Sequence, residues 1–423
     1  MAEIKPFRAW RYNVNLELDI NDLVAPLFDV VSKKQLNKLY HNSYNSIHLS
    51  VPTGTNPSLQ AKETLNQWIE KKILVQDDKP RIYPYYQYFN VHSEKKTYCR
   101  KGFICMIKAS FWDEKIVMRH ENTIPNAVSD RIELLKETQI NSSPTHGLYQ
   151  DNDFVLEKYM DKAIASPVYE TEDYQGVKDV LGVIEEEEII QKFISLLENR
   201  QIVLADGHHR YESSIAYRKE MMENTQNYTG NEAYNFHMMY LTNSASNHLK
   251  ILPTHRLISN LIIEDIDKII EKASKYFHIK EVDNPSDLPE IIVGKKWAFG
   301  LLHKDKTLKI RLKEDAFNEL SWQFPELIKK MDLTVLHFFF IEKVLGISGK
   351  SQRSSNAIHY ERNFAECFRK VATSEVEMAL ITNEISIQEI NKICFSGHIM
   401  PPKSTYFYPK AICGFLFGSI NSK

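Results

Sequence analysis

Residues Ile202 to Tyr211 read IVLADGHHRY. An apolar run, Ile202 to Ala205, delivers Asp206, Gly207, His208, His209 and Arg210 to one sharp turn. A helix-like segment, Tyr211 to Met222, follows. A carboxylate, two imidazoles and a guanidinium at the end of a buried strand can move protons and bind oxyanions. Gly207 lacks the side chain that would keep a ligand off the backbone. The N-terminus of the next helix offers unpaired N–H groups and the positive end of a dipole. Together these features make a seat for a phosphate with acid/base groups beside it. The plainer reading makes Asp206 an N-cap and the histidines boundary residues. The concentration of functional types directly after a buried run outweighs it. Adjacent histidines point in different directions, so one of the pair at most faces a reactant. Asp206 can bind Mg²⁺ or orient a nucleophile, and Arg210 can hold a phosphate or carboxylate through two bonds.

Two other clusters carry suitable groups. His120-Glu121 follows an apolar strand through Ile116 to Met118. A carboxylate there can serve as base toward a substrate hydroxyl. Taken alone, a surface salt bridge from Glu121 to Arg119 or Arg131 is the stronger reading. Pro401-Pro402-Lys403-Ser404-Thr405 combines stiff backbone with donors of the kind that bind phosphate. A proline-ordered surface turn is an equally good account of those residues.

Several elements must position these groups. Ser32 is placed to cap a helix carrying Leu36 and Leu39, and Leu65, Trp68 and Ile69 lie at helical spacing. Residues 81–108 read as paired strands, YPYYQYF and YCRKGFICMIK, with Glu94-Lys95-Lys96 between them. A helix is expected from near Ser129, carrying Ile132, Leu134 and Leu135. Residues 150–182 are polar and read as irregular. Glu185 to Asn199 reads as a helix with Ile189, Phe193, Leu196 and Leu197 on one face. A strand is expected over Phe236 to Leu241. WAFGLLHKDKTLKIRL reads as a hairpin turning at Lys304–Lys306, and VLHFFFIEKVLG as a buried helix ending at Gly346. In the tail, a strand (Glu377 to Ile381), a helix (Ile387 to Phe395) and an apolar strand near Ile412 to Phe417 are expected.

Composition narrows the classes. The chain has 423 residues, 43% hydrophobic and 26% charged, with a formal net charge of −2. That balance supports an ordinary soluble core in two or three domains and does not invite nucleic acid. The 14 glycines are too few for a Gly-rich dinucleotide fold. Cys99, Cys105, Cys367, Cys394 and Cys413 form no C-x-x-C pair, which disfavours structural zinc. The opening MAEIKPFRAWRY is unlike a secretory signal, and no apolar run is long enough to span a bilayer, so a cytoplasmic location is expected.

Over nearly its whole length the sequence resembles the bacterial and archaeal family called domain of unknown function 1015. The matching pieces are EIKPFRAWRY, LVAPLFDVVS, the HE pair, LADGHHRYES, LPTHR and MPPKSTYFYPK. Three motifs in order also resemble the archaeal ADP-dependent free serine kinases of the ParB/sulfiredoxin-like superfamily. These are His120-Glu121, Asp206-Gly207-His208-His209-Arg210 and Pro402-Lys403-Ser404-Thr405. That resemblance implies Glu121 as base, Asp206 as its catalytic partner, and His208, Arg210, Lys403, Ser404 and Thr405 on phosphate, with His120, Gly207 and His209 alongside. It implies ADP or ATP and Mg²⁺ as cofactors, with Asp206 as the metal ligand. The partners would be the nucleotide and serine or phosphoserine. This chain is longer than those kinases, with an extra N-terminal region and an insertion between HE and DGHHR. Aromatic Tyr406-Phe407-Tyr408 follow PKST.

The expected fold is α/β of the α+β type: a ParB/sulfiredoxin-like core with mixed sheet and flanking helices, elaborated at both ends. Its expected parts are residues 1–110 as an N-terminal extension, 111–260 as the core with its insertion, and 261–423 as a C-terminal region that brings PKST to the site. Phosphoryl transfer between a nucleotide and a small hydroxyl acid, most simply serine, is the leading expectation. A phosphoserine phosphatase and a non-catalytic nucleotide-binding regulatory module are the alternatives. A metal hydrolase using His120, Asp206, His208 and His209 ranks lower, because the recurring zinc spacing is absent.

Overall fold

The computed structural model describes residues 1–27, 31, 33–91, 96–260, 265–352, 355–401 and 403–421. Ser32, Glu94, Lys95 and Pro402, which figure in the expectations above, lie outside the described residues. The chain forms two compact units where the sequence suggests three regions. Unit 1 is Met1–Lys250 with Pro409–Lys423, and unit 2 is Ile251–Tyr408. Both are α+β.

Among the described residues, unit 1 holds a nine-stranded mixed sheet. Its order is Val117–Arg119, Ile202–Asp206, Thr145–Tyr149, Phe236–Asn243, Thr97–Lys108, Tyr83–Asn90, Lys178–Leu181, Tyr169–Glu172. Ile4–Lys5 joins along the strand Thr97–Lys108. Strands on both sides of residue 110 therefore share one sheet. The aromatic hairpin pairs from Tyr83↔Ile104 to Asn90↔Thr97, as its alternation predicts. Ile202–Asp206 lies inside the sheet, parallel to Val117–Arg119 and antiparallel to Thr145–Tyr149. Interior position on both faces is why it reads as an unbroken apolar run.

Helices cover the faces. Glu187–Leu197 buries Ile190, Phe193 and Leu197 against a cluster containing Phe103, Met239 and Leu204. Pro57–Glu70 starts with proline at its first position, is capped by Asn56 and buries Leu65 and Trp68. Pro125–Thr138 begins earlier than Ser129, again at a proline.

Two stretches depart from expectation. Residues 150–182 are regular: a helix, Glu157–Ile164, and the paired strands Tyr169–Glu172 and Lys178–Leu181. Tyr169 and Thr171 face inward while Glu170 and Glu172 face out. An outermost strand with charge on alternate positions hides its hydrophobic signal. The apolar tail near Ile412–Phe417 is not a continuous strand. It makes isolated bridges, Ala25↔Cys413 and Trp10↔Phe417, before the short strand Gly418–Ser419. Gly414, at φ 104, breaks the extended run.

Unit 2 has a six-stranded antiparallel sheet: Phe277–Glu281, Thr307–Leu312, Ala298–His303, Met378–Ile381, His255–Ile258, Ile358–Glu361. Its hairpin turns at Lys304–Lys306 as expected. VLHFFFIEKVLG is helical and buried, with Phe338, Phe339 and Phe340 at the centre of the core. Over Leu336–Val344 it is a π-helix. Among the described residues no helix is long and apolar enough to cross a membrane.

Candidate functional site

Parallel pairing puts two expected clusters at one sheet end. Val117–Arg119 and Ile202–Asp206 run side by side, with Leu204 opposite Arg119. Both strands end in the same direction, so His120-Glu121 emerges beside Ala205-Asp206. Thr145–Tyr149 runs the other way and sets His146 opposite Asp206.

Gly207 turns the chain here. At φ 88 it occupies the left-handed region, and the helix His208–Asn224 starts immediately after it. Sequence periodicity alone places that helix from Tyr211. Its actual start puts both histidines and Arg210 in the first turn, where the N–H groups lack intrahelical partners. A Cβ at position 207 would lie 2.6 Å from Thr145 Cγ2 and 2.9 Å from Arg210 Nη2. Gly207→Ala is expected to cost about 1–2 kcal/mol from the backbone conformation alone, and to push Arg210 off Asp206. A thermal shift of the variant checks the first. Unchanged turnover would exclude the second.

Asp206 is held by two cations. Its Oδ2 accepts from Arg210 Nη2 at 3.1 Å, and its Oδ1 is paired with the Lys410 ammonium. Arg210 is itself fixed, with Nη1 donating to Ser143 Oγ at 2.8 Å and to the Pro144 carbonyl at 2.7 Å. The pairs are largely buried, at 14% and 16% exposure for Arg210 and Asp206. The plainer N-cap reading of Asp206 does not hold: the capping position is Gly207, which has no side chain to offer.

The two histidines do point apart. His208 is buried, and its ring stands edge-on to His120, with centroids 4.7 Å apart. His209 Nε2 accepts the N–H of Ile124 at 3.0 Å, seating the start of the helix Pro125–Thr138. That bond requires the proton on Nδ1. His209 is thus committed to structure on that nitrogen.

Burial sets the charge of the other imidazoles. It pushes His120 down to about 4, against the opposing pull of Glu121 and a bond to the Leu204 backbone. It takes His237 to about 3 and His146 well below the usual range. All three are neutral at pH 7. His237 bridges Ser214 Oγ (2.7 Å) and Thr145 Oγ1 (3.0 Å), and His146 bonds Thr242 Oγ1 at 2.8 Å. The formal charges of the cluster reside on Asp206, Glu121, Arg210 and Lys410.

Glu121 is half-buried next to His120. Arg119 pairs with Glu212 at 3.3 Å and packs over Trp112. In unit 2, Lys403 is exposed at φ 55, Thr405 is half-buried, and Ser404 is buried with Oγ donating to the Pro401 carbonyl at 2.6 Å. Arg256 of LPTHR lies beneath this turn, 3.5 Å from the Lys403 carbonyl.

Asp206 suits a divalent cation poorly. Both of its oxygens already face ammonium or guanidinium groups, and no cluster of three or more His, Cys, Asp or Glu side chains among the described residues is arranged to hold a metal. The expected role of Asp206 as a Mg²⁺ ligand therefore gives way to that of an ion-pair anchor. Lys410, missed by the sequence reading, was visible in MPPKSTYFYPK, two residues past its last aromatic, Tyr408.

No curated protein matches the chain. Among solved structures, a conserved hypothetical protein from Pyrococcus furiosus is similar at 13% identity and a TM-score of 0.36, over 73% of this chain and 92% of that one. A mutant free serine kinase in complex with AMP is similar at 12% identity and 0.38, over 74% and 92%. A C-terminally truncated SbnI from Staphylococcus aureus is similar at 9% and 0.35, over 73% and 85%. The firm match is of another kind: residues 4–334 fit the model of the protein family of unknown function DUF1015. This chain belongs to the DUF1015 family.

Proposed function

We propose that this protein transfers a phosphoryl group between a nucleotide, ADP or ATP, and a small hydroxyl acid, most simply free serine. The observation that carries the reading is the Lys410–Asp206–Arg210 ion-pair cluster beside His120, Glu121 and His208 at the strand ends. Phosphoryl transfer is mostly positioning and charge neutralisation. Here two fixed cations and a helix N-terminus supply the positive field, and Glu121 supplies the base. The order of the HE, DGHHR and PKST motifs adds support. The mixed sheet of unit 1 would then be the ParB/sulfiredoxin-like core.

In the forward direction Glu121 takes the proton of the serine hydroxyl. The hydroxyl oxygen forms its bond to the terminal phosphorus as the bridging P–O bond of the nucleotide breaks. The products are phosphoserine and the nucleotide shortened by one phosphate, with the proton passing from Glu121 to solvent. Arg210 and His208 hold the phosphate oxygens during the exchange.

Purified protein incubated with serine and ADP or ATP, and separately with phosphoserine and AMP or ADP, should convert one mixture, followed by ³¹P NMR. Glu121→Gln should lower that rate by roughly 10²–10⁴-fold with the protein still folded. Release of phosphate from phosphoserine without nucleotide would instead make it a phosphatase. Tight nucleotide binding with no turnover in any mixture would make it a regulatory module.

A further inference from the structure

The segment that carries Lys410 is gripped from inside the sheet. Arg100, only 2% exposed, donates through Nη2 to the Pro409 carbonyl and through Nε to Gln87 Oε1 at 3.1 Å. Gln87 is fully buried and uses both amide hydrogens, one to the Lys410 carbonyl at 3.0 Å and one to Asp179 Oδ1 at 2.8 Å. Tyr85 OH donates to the same Asp179 oxygen at 2.5 Å and accepts from the Ile412 N–H at 3.3 Å. The bonds run in one sense: Arg100 gives to Gln87, and Gln87 gives to Asp179 and to the backbone of Lys410. Reversing the amide would set its NH₂ against a guanidinium, so one orientation is allowed.

This network is expensive for stability. Arg, Gln and Asp are buried among Tyr85, Tyr240 and Phe415, where apolar residues of similar volume would serve as well or better. What it secures is position. It fixes the backbone at 409, 410 and 412, so the Lys410 side chain leaves toward Asp206.

We infer that Lys410 is an oxyanion-binding residue of the site, taking nucleotide phosphate in exchange for the Asp206 carboxylate. Gln87 and Arg100 are then positioning residues that act through it. The inference rests on the phosphoryl-transfer reading. An ammonium already balanced by a carboxylate can pass to an incoming phosphate without first being stripped of water. Asp206 holds the cation in place between turnovers.

The test is calorimetric titration of the full chain with ADP and with ATP, at low salt. Lys410→Met should weaken the nucleotide that wild type binds by roughly 10–100-fold, the value of one charge-assisted bond. Lys410→Arg should recover part of the loss. Gln87→Met, close in shape but without donors, should weaken binding by a smaller factor, and should have no further effect in the Lys410→Met background. Equal binding by wild type and Lys410→Met would overturn the inference. So would a Gln87→Met loss that is the same in both backgrounds, since that marks a general structural defect. A second measurement needs no variant: acetylation of Lys410 by acetic anhydride, read by mass spectrometry, should slow when nucleotide is added. An unchanged rate at saturating nucleotide also overturns it. Failure of wild type to bind either nucleotide or to turn over any mixture is a different outcome, and removes the phosphoryl-transfer reading itself.

Discussion

Asp206→Asn should lose turnover by roughly 10²–10⁴-fold while binding nucleotide as tightly as wild type or more so. The two effects have one cause. Asp206 is the counter-charge of both Lys410 and Arg210. An amide keeps the shape and loses the charge. Phosphate then meets two cations with no carboxylate to displace, which favours the bound ground state. The same substitution removes what sets those cations for transfer and returns them afterwards. A fall in kcat with a steady or lower KM is the expected pattern, and it marks a group acting on the reaction more than on substrate binding. The free protein should also lose about 1–3 kcal/mol of stability, since largely buried donors lose a charged acceptor. Added phosphate should restore part of that. Wild-type kcat in Asp206→Asn would remove Asp206 from the mechanism. A raised KM with unchanged kcat would make it a binding residue only.

Acid should destabilise both units well above the carboxylate range. Burial holds His120 near 4 and His237 near 3 in unit 1, and His255 near 4 and His337 near 3 in unit 2. His146 is lowered as well. A histidine whose pKa is depressed by folding binds its proton more readily once unfolded. Stability is therefore intact above about 6.5 and falls as pH drops toward the folded values. Each group, fully titrated, is worth on the order of 3–5 kcal/mol, against a typical total of about 5–15 kcal/mol. Asp179 opposes the trend. Burial raises it to about 7, so its contribution is full below about 3.8 and is lost as pH rises to about 7. One such group does not offset five. Thermal unfolding followed by circular dichroism should show Tm falling steeply between pH 6.5 and 4.5. A flat Tm over that interval would mean that the imidazoles are wet in solution.

The turn at DGHHR is legible because a continuous apolar strand, a glycine and a helix start lie within ten residues of each other. Local sequence holds all of that geometry. The proximity of His120-Glu121 is not local: it follows from a parallel pairing between distant strands, which the sequence suggests by motif and not by pattern. Lys410 was harder still. It reads as one more basic residue in a tail, and its partner lies in another part of the chain. Gln87 and Arg100 were hidden in strands whose aromatic alternation reads as plain structure. Polar residues spaced within such a run are where the pattern should have drawn attention. The helix and strands of 150–182 were missed because charge on an outer strand dilutes periodicity.

Unit 1 is discontinuous, and this has a consequence for how the protein comes into being. The chain leaves the unit at Lys250 and returns at Pro409. On a ribosome, Asp206 and Arg210 emerge long before Lys410, which waits for all of unit 2 to be made. At typical elongation rates that delay is on the order of ten seconds or more. During it the nascent sheet carries the polar row of Arg100, Gln87 and Asp179 without the strap that satisfies it. The returning segment thus acts as a latch. An unfinished chain holds most of the sheet and no complete site, so a fragment stalled within unit 2 should be a substrate for chaperones and proteases before it can bind a nucleotide.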